Sequence, residues 1–286
     1  MQLPGNDDDL LKKTIEAGID MSGSIGGAIA GVAMGGPAGG LAGAIAGTGL
    51  VHILKDVAHR ALSHRERQRV GALYLHALNA MNIIRDAGGT VRQDDFWVSS
   101  GPYTSPGQQV IEGVLIAAQR EPQERKLEFM GILLARVAYE PEITADTAAY
   151  LIRTAEELTW QQYVLLALIG RLDEFEVEGI ETNTHAPEFA AWAAHKQLAE
   201  LGDFGRALIV GGREETSLGL QKYATELSSY KLGWGGDLLY QSMWLDRIPR
   251  RDILEVLDLL RTTDQSYPRS GLQGSLLQMA TPPIAG

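Results

Sequence analysis

Four side chains that could bind a metal ion or move a proton lie at helical spacing shortly after residue 50. His52, Asp56, His59 and Ser63 occupy positions i, i+4, i+7 and i+11, which share one face of an α-helix. A histidine and a carboxylate on one face can hold a metal ion or orient an imidazole for proton transfer. Basic residues surround the four, and no HExxH motif accompanies them. We therefore interpret this face as a solvated or lipid-headgroup flank, which becomes more cationic as the pH falls through the ordinary histidine pKa.

The other common patterns of catalytic or cofactor-binding residues are missing from the sequence. It has no cysteine, which excludes disulfide frameworks, thiol nucleophiles and Cys-ligated metal clusters. It contains neither a GxxxxGK[ST] phosphate loop nor a GxGxxG turn with an acidic residue some 20 positions later. A GxSxG nucleophile elbow and the protein-kinase motifs are also absent. The sequence therefore predicts no catalytic residues, no cofactor and no metal site.

The most regular pattern in the chain is a series of glycines inside an uncharged stretch. Residues 21–54 contain no Asp, Glu, Lys or Arg, and this length exceeds the ~20 residues that a helix needs to cross a bilayer. On an α-helix, glycine at every fourth position leaves a groove of bare backbone into which a second helix can pack closely. The glycines that follow this spacing are Gly23, Gly27, Gly31, Gly35, Gly39, Gly43 and Gly47.

This repeated GxxxG pattern resembles the glycine-zipper segments of channel-forming and membrane-permeabilising proteins. The resemblance covers residues 21–54, which we call the glycine-zipper segment, and implies close helix packing between copies of the chain. In water the same residues would make a poor isolated helix, because each glycine costs about 1 kcal/mol relative to alanine. The segment must therefore lie in lipid, be buried in protein or be loosely ordered, and the last two possibilities predict a soluble protein with a buried or loose Gly-rich helix pair.

Pro37 and the basic residues after the glycine-zipper segment indicate its geometry and orientation. Pro37 removes a backbone donor and predicts a kink or a hairpin turn. A kinked single span fits a bilayer better, since hairpin arms of ~15 residues would reach only about 22 Å. The positive-inside rule places the residues after 55 in the cytoplasm. We expect a basic flank to contact anionic lipid through Lys55, Arg60, Arg65, Arg67 and Arg69.

The net charge of −11 comes entirely from the region after residue 70. Within residues 1–70, seven acidic and seven basic side chains balance. The acidic remainder repels anionic surfaces, so the sequence predicts no nucleic-acid partner.

Apolar residues recur at helical spacing through most of the chain after the basic flank. The predicted helices are 66–86, 107–119, 122–139, 144–157, 160–173, 187–201, 236–245 and 250–261. A short β-branched run at 207–210 is expected to pair with 229–234. The order of elements over 187–261 is similar to a winged-helix unit, with a structural or protein-contact role because residues 235–245 contain no Lys or Arg. Four tryptophans on apolar stripes are expected in the core: Trp160, Trp192, Trp234 and Trp244.

These observations predict a mainly α-helical protein. A Gly-rich helix or helical hairpin precedes a helical bundle that carries a small, winged-helix-like β-hairpin near the C-terminus. The expected divisions are an acidic N-terminal segment at 1–20, the glycine-zipper segment at 21–54, a basic flank, helix and connector at 55–106, the helical domain at 107–262 and a flexible tail at 263–286.

The expected function is membrane association through self-assembly. In its most concrete form, the protein is a membrane-permeabilising effector of bacterial defence, and a cytosolic helical domain controls the glycine-zipper segment. Its partners would be further copies of the chain, the lipid bilayer and a regulatory protein, and its location would be the cytoplasm with association to the inner membrane. The alternative is a soluble helical module for protein–protein interaction or regulation.

Overall fold

Capping boxes open three of the helices, at Ser63, Ser105 and Thr159. In each box the hydroxyl accepts a hydrogen bond from the backbone N–H three residues on. The Glu or Gln side chain of that third residue accepts one from the N–H of the capping residue. Thr159 with Gln162 three residues later has the sequence signature of such a box. Together these caps fix where the helices begin.

The computed structural model of the chain describes residues 63–182, 188–202, 207–211 and 226–262, together with the backbone of 214–215 and 221–222. The α-helices within these ranges are α1 His64–Asp86, α2 Pro106–Arg120, α3 Lys126–Tyr139, α4 Ala145–Glu157, α5 Trp160–Gly170, α6 Phe189–Gly202, α7 Trp234–Ser242 and α8 Arg250–Arg261. The strands are β1 Ile209–Val210, β2 Glu214–Glu215, β3 Gln221–Lys222 and β4 Lys231–Leu232.

Helix α5 lies at the centre of the domain. Its residues from Gln162 to Ile169 are all buried, as expected for a helix that is apolar on every side. Helices α6, α7 and α8 and strand β4 pack against it, while α1 lies along α2 and α3, and α4 contacts both of these. One hydrophobic cluster extends from Val70 in α1 to Leu260 in α8. Elements from both ends of the described chain therefore build a single core.

The strands form two short antiparallel ladders. Ile209 in β1 lies opposite Leu232 in β4, and Glu214 in β2 lies opposite Lys222 in β3. The sequence predicted the pairing of β1 with β4, which is confirmed. It did not predict β2 and β3. The protein is thus mainly α-helical with a small antiparallel β-structure near its C-terminus.

Helices α1 and α3 approach each other closely at Gly131. A Cβ atom at this position would lie 2.7 Å from the carbonyl oxygen of Leu73 and 2.9 Å from the backbone nitrogen of Ala77. Real Cβ atoms do not approach backbone atoms so closely, so only glycine fits this crossing without a shift of one helix. The absence of a side chain at residue 131 therefore sets the separation between α1 and α3.

Arg92 is buried and fastens the end of α3. Its Nη1 atom donates to the carbonyl oxygens of Val137, Glu140 and Ile143 at 3.2, 3.3 and 2.8 Å. Its Nη2 atom lies 2.6 Å from the carboxylate of Asp94, and this contact lowers the pKa of Asp94. The guanidinium thus binds the carbonyl oxygen of Val137 in the last turn of α3 and two carbonyl oxygens of the loop that follows.

Two of the four tryptophans predicted in the core are exposed instead. The Trp234 side chain begins α7 and is 81% exposed. The first turn of α7 buries Gly235 and Gly236 instead. A methyl group at Gly236 would collide with the carbonyl oxygen of Leu208, so this face of the helix has no room for a side chain. Trp192 is 39% exposed, since α6 buries a different face. Trp160 and Trp244 are partly buried and pack against the core, as predicted.

Candidate functional site

The glycine-zipper segment and Pro37 lie outside the described residues, as do Lys55 and Arg60 of the basic flank. The helical groove that the spacing of the seven glycines indicates therefore stays a prediction. Within the ranges that the structure describes, no helix combines the length and the apolar character needed to cross a bilayer. The described part of the chain begins at Ser63, nine residues after the end of this segment, and contains the helical domain.

Ser63 is the N-cap of α1 and does not have a helical backbone conformation. Its backbone is extended, with φ −63° and ψ 161°, and its hydroxyl accepts a hydrogen bond from the N–H of Glu66. The predicted face that joins His52, Asp56 and His59 to Ser63 is therefore wrong at its last member. The first three of these residues lie outside the described ranges.

The basic flank divides into two parts in the structure. Arg65 and Arg67 lie in the first turn of α1 and are exposed. Arg69 instead turns towards the domain, where its Nη1 atom donates to the carbonyl oxygen of Gln119 at 3.0 Å and its side chain is 17% exposed. This position does not favour the predicted contact of Arg69 with lipid, because its guanidinium is bound within the domain and connects α1 to the end of α2. Arg65 and Arg67 remain available to an anionic surface.

A buried ion pair lines a cleft where four helix ends meet. The Nζ atom of Lys126 lies 2.5 Å from the Oε2 atom of Glu121, and these side chains are 2% and 3% exposed. Lys126 also donates to the carbonyl oxygen of Glu156 at 3.0 Å. The cleft encloses about 320 Å³ between the ends of α2 and α4 and the starts of α3 and α5. Gln123 and Thr159 are among its lining residues.

The geometry of this cleft favours a structural role for Lys126. Burial lowers the pKa of its ammonium, while the hydrogen bond and the charge of Glu121 act in the opposite direction. Glu121 is occupied on its other oxygen, which accepts a hydrogen bond from the N–H of Gln123 at 2.8 Å. A nucleophilic lysine needs an accessible, deprotonated amine, and this amine is buried against a carboxylate. The pair therefore braces the helix ends.

An exposed aromatic surface lies at the start of α6. The rings of Phe189 and Trp192 stack with their centroids 5.6 Å apart and an interplanar angle of 29°. Phe189 is 81% exposed, so the pair leaves a large apolar area in contact with water. Aromatic side chains in this situation are the residues that protein interfaces most often use as anchors. We call this pair the α6 aromatic surface.

Sequence reasoning missed both the ion pair and the aromatic surface. A signal for the first exists, since Lys126 stands directly before an apolar run and Glu121 precedes it by five residues. The exposure of Phe189 and Trp192 has no comparable signal, because an amphipathic pattern does not show which apolar residues a short helix leaves uncovered.

No protein-family model, no curated protein and no solved structure matches this chain.

Proposed function

We propose that this protein associates with membranes and self-assembles through its glycine-zipper segment, under the control of the helical domain. The observation that carries the proposal is the strict four-residue spacing of seven glycines inside 34 residues that lack Asp, Glu, Lys and Arg. That combination provides the two requirements of helix assembly in lipid, namely an uncharged span and a groove of small residues. In its most specific form, the assembled segments permeabilise a bilayer.

The energetic argument compares water with lipid. In water, seven glycines cost about 7 kcal/mol of helix propensity relative to alanine. In a bilayer core every backbone group must find a partner within the chain, so a helix is enforced whatever the propensity of its residues. The same glycines then allow close backbone contact between helices. Helix formation by this segment is therefore unfavourable in water and becomes favourable when the segment lies in lipid and packs against further copies.

The start of α1 supports a division of labour between the segment and the domain. The capping box at Ser63 satisfies the first turn of α1 locally, so this helix does not depend on a helix that continues from the residues before it. The chain before Ser63 can therefore change its environment while α1 and the core behind it stay folded. A domain that restrains the segment at rest and releases it on a signal needs such a boundary.

Liposomes loaded with a self-quenching dye test the proposal. The variant Gly31→Leu with Gly35→Leu fills the predicted groove and raises the hydropathy of the segment. We expect it to bind liposomes and to lose dye release, because insertion remains favourable and assembly is blocked. The matched control is Gly26→Leu with Gly40→Leu, which adds the same side chains outside the four-residue register and should retain dye release.

Two results would contradict the proposal. The first is a full-length protein that stays in the soluble fraction and leaves liposomes intact under every condition that changes its oligomeric state. The second is equal dye release by the in-register and out-of-register variants, which would show that the glycine groove does not matter.

The α6 aromatic surface favours a second candidate function, a soluble module for protein–protein interaction. Such a module would use Phe189 and Trp192 as anchors for another protein. The variant Phe189→Ser with Trp192→Ser separates the two functions, since it should abolish complex formation by a soluble module and leave dye release by a permeabilising protein unchanged.

A further inference from the structure

Helix α6 contains a buried imidazole that has no hydrogen-bond partner among the residues that the structure describes. His195 is 3% exposed, and neither Nδ1 nor Nε2 has a hydrogen-bond partner. A neutral imidazole carries one N–H donor and one acceptor nitrogen, and a protonated imidazole carries two donors and a charge. Buried polar groups nearly always have partners, so an imidazole without any is unusual. The site provides no hydrogen bond to either form, and it disfavours the charged ring most, because burial of a charge costs more than burial of a neutral polar group.

Within the described ranges, the elements with the most extensive packing against α6 provide no counter-charge for this ring. These elements are α5, α8 and β1. Strand β1 has no titratable side chain, and α5 has only Tyr163, whose hydroxyl donates to the carbonyl oxygen of Ala155. Within α6, Lys196 pairs with Glu200 at the surface.

The charged residues of α8 all have other partners. Asp252 is the buried one, and it pairs with Arg125 of α3's N-terminal boundary and with its neighbour Arg251. The remaining charged residues of α8 form ion pairs with exposed or half-exposed groups: Arg250, Glu255, Asp258 and Arg261. Burial alone lowers the pKa of His195, with no charged group contributing.

We propose that His195 makes the docking of α6 sensitive to acid. The imidazole fits its site in the neutral form, so protonation favours states in which α6 has opened away from α5 and α8. Opening exposes Leu198 and Leu201, which are buried when α6 is docked. A lower pH would thus release α6 from the rest of the domain. This inference does not depend on the membrane function proposed above.

The sign and size of the effect follow from linkage. Because the pKa of the docked imidazole is depressed, its contribution to docking is complete above the ordinary histidine pKa of about 6.5 and is lost as the pH falls below it. If the ring stays neutral while docked and titrates normally once exposed, the equilibrium constant for opening rises about 30-fold between roughly pH 7.5 and 5.0.

Hydrogen exchange on the full-length chain measures this opening directly. The experiment compares amide protection in α6 at both pH values, corrected for intrinsic exchange rates, in the wild type and in His195→Leu. We expect the opening constant of the wild type to rise more than that of the variant, by up to about 30-fold, because the variant has no titratable group in the site. The control variant His64→Leu changes an exposed imidazole and should behave like the wild type.

A second measurement needs no variant. Imidazole resonances of the wild type report the protonation of His195, and we expect the ring to stay neutral for as long as α6 remains protected. The inference is overturned if His195 protonates at its ordinary pKa with α6 still protected. It is also overturned if wild type and His195→Leu show the same dependence of α6 protection on pH.

Discussion

The ammonium group of Lys126 and the carboxylate of Glu121 form a salt bridge of 2.5 Å whose two side chains are almost completely buried. The pair connects the end of α2 to the start of α3, and the hydrogen bond from Lys126 to the carbonyl oxygen of Glu156 adds the end of α4. Three helix termini thus depend on one amine. Buried ion pairs are costly to separate, because removal of one partner leaves the other as an isolated charge in the interior.

The variant Lys126→Met should therefore lower the free energy of unfolding by about 3–5 kcal/mol, because Glu121 loses its counter-ion. Urea denaturation measures the change. The double variant Glu121→Gln with Lys126→Met should recover much of the loss, since it removes both charges. Lys196→Met breaks the exposed pair with Glu200 and should cost less than about 1 kcal/mol. A similar loss in both single variants would show that burial of the first pair is unimportant.

A methyl group at the crossing of α1 and α3 should be costly. Gly131→Ala forces the two backbones apart, and we expect a loss of about 1–3 kcal/mol of stability. The matched control is Gly113→Ala in α2, where an added Cβ meets no atom within 4 Å. That change should stabilise the protein by up to about 1 kcal/mol through helix propensity. Equal responses of the two variants would contradict the close approach at Gly131.

Replacement of Arg92 by lysine should destabilise the domain although the charge is kept. A lysine cannot span the carbonyl oxygens at the end of α3 and the carboxylate of Asp94 together. We expect a loss of about 1.5–3 kcal/mol, the usual value for a hydrogen bond to a charged group. Thermal unfolding should show this as a lower Tm. Arg85→Lys, at an exposed pair with Asp86, is the control and should leave Tm unchanged.

The exposed part of the basic flank should govern binding to anionic lipid. Arg65→Glu with Arg67→Glu should weaken binding to vesicles that contain an anionic lipid, and the effect should shrink as salt concentration rises. The control Arg153→Glu with Arg120→Glu makes the same change in charge at other exposed positions. If the control weakens binding equally, net charge rather than the flank determines the affinity.

Local patterns in the sequence were sufficient to predict the helices. The apolar stripe through Val70, Leu73 and Ala77 identifies the buried face of α1, and all three residues are buried. The helix predicted at 250–261 has these bounds in the structure. These predictions succeed because the spacing of apolar residues along a helix directly determines which face the core covers.

Contacts between distant residues could not be predicted in the same way. Arg69 is one of several arginines in its part of the sequence, and only the position of Gln119 in the folded chain distinguishes it from Arg65 and Arg67. The exposure of Trp192 could not be predicted for the same reason, since it depends on which face of α6 meets α5 and α8. For the candidate site, the sequence provides the glycine spacing, and the structure adds the N-cap of α1 at Ser63.

The single core that joins Val70 to Leu260 has a consequence for synthesis of the protein in a cell. Helix α8 must leave the ribosome before this core can close, and it is translated about 200 residues after the glycine-zipper segment. At roughly 5–20 residues per second, the delay is about 10–40 s. During every round of translation the uncharged segment therefore emerges long before the domain that we propose restrains it, and a nascent chain near a bilayer has that interval in which to insert.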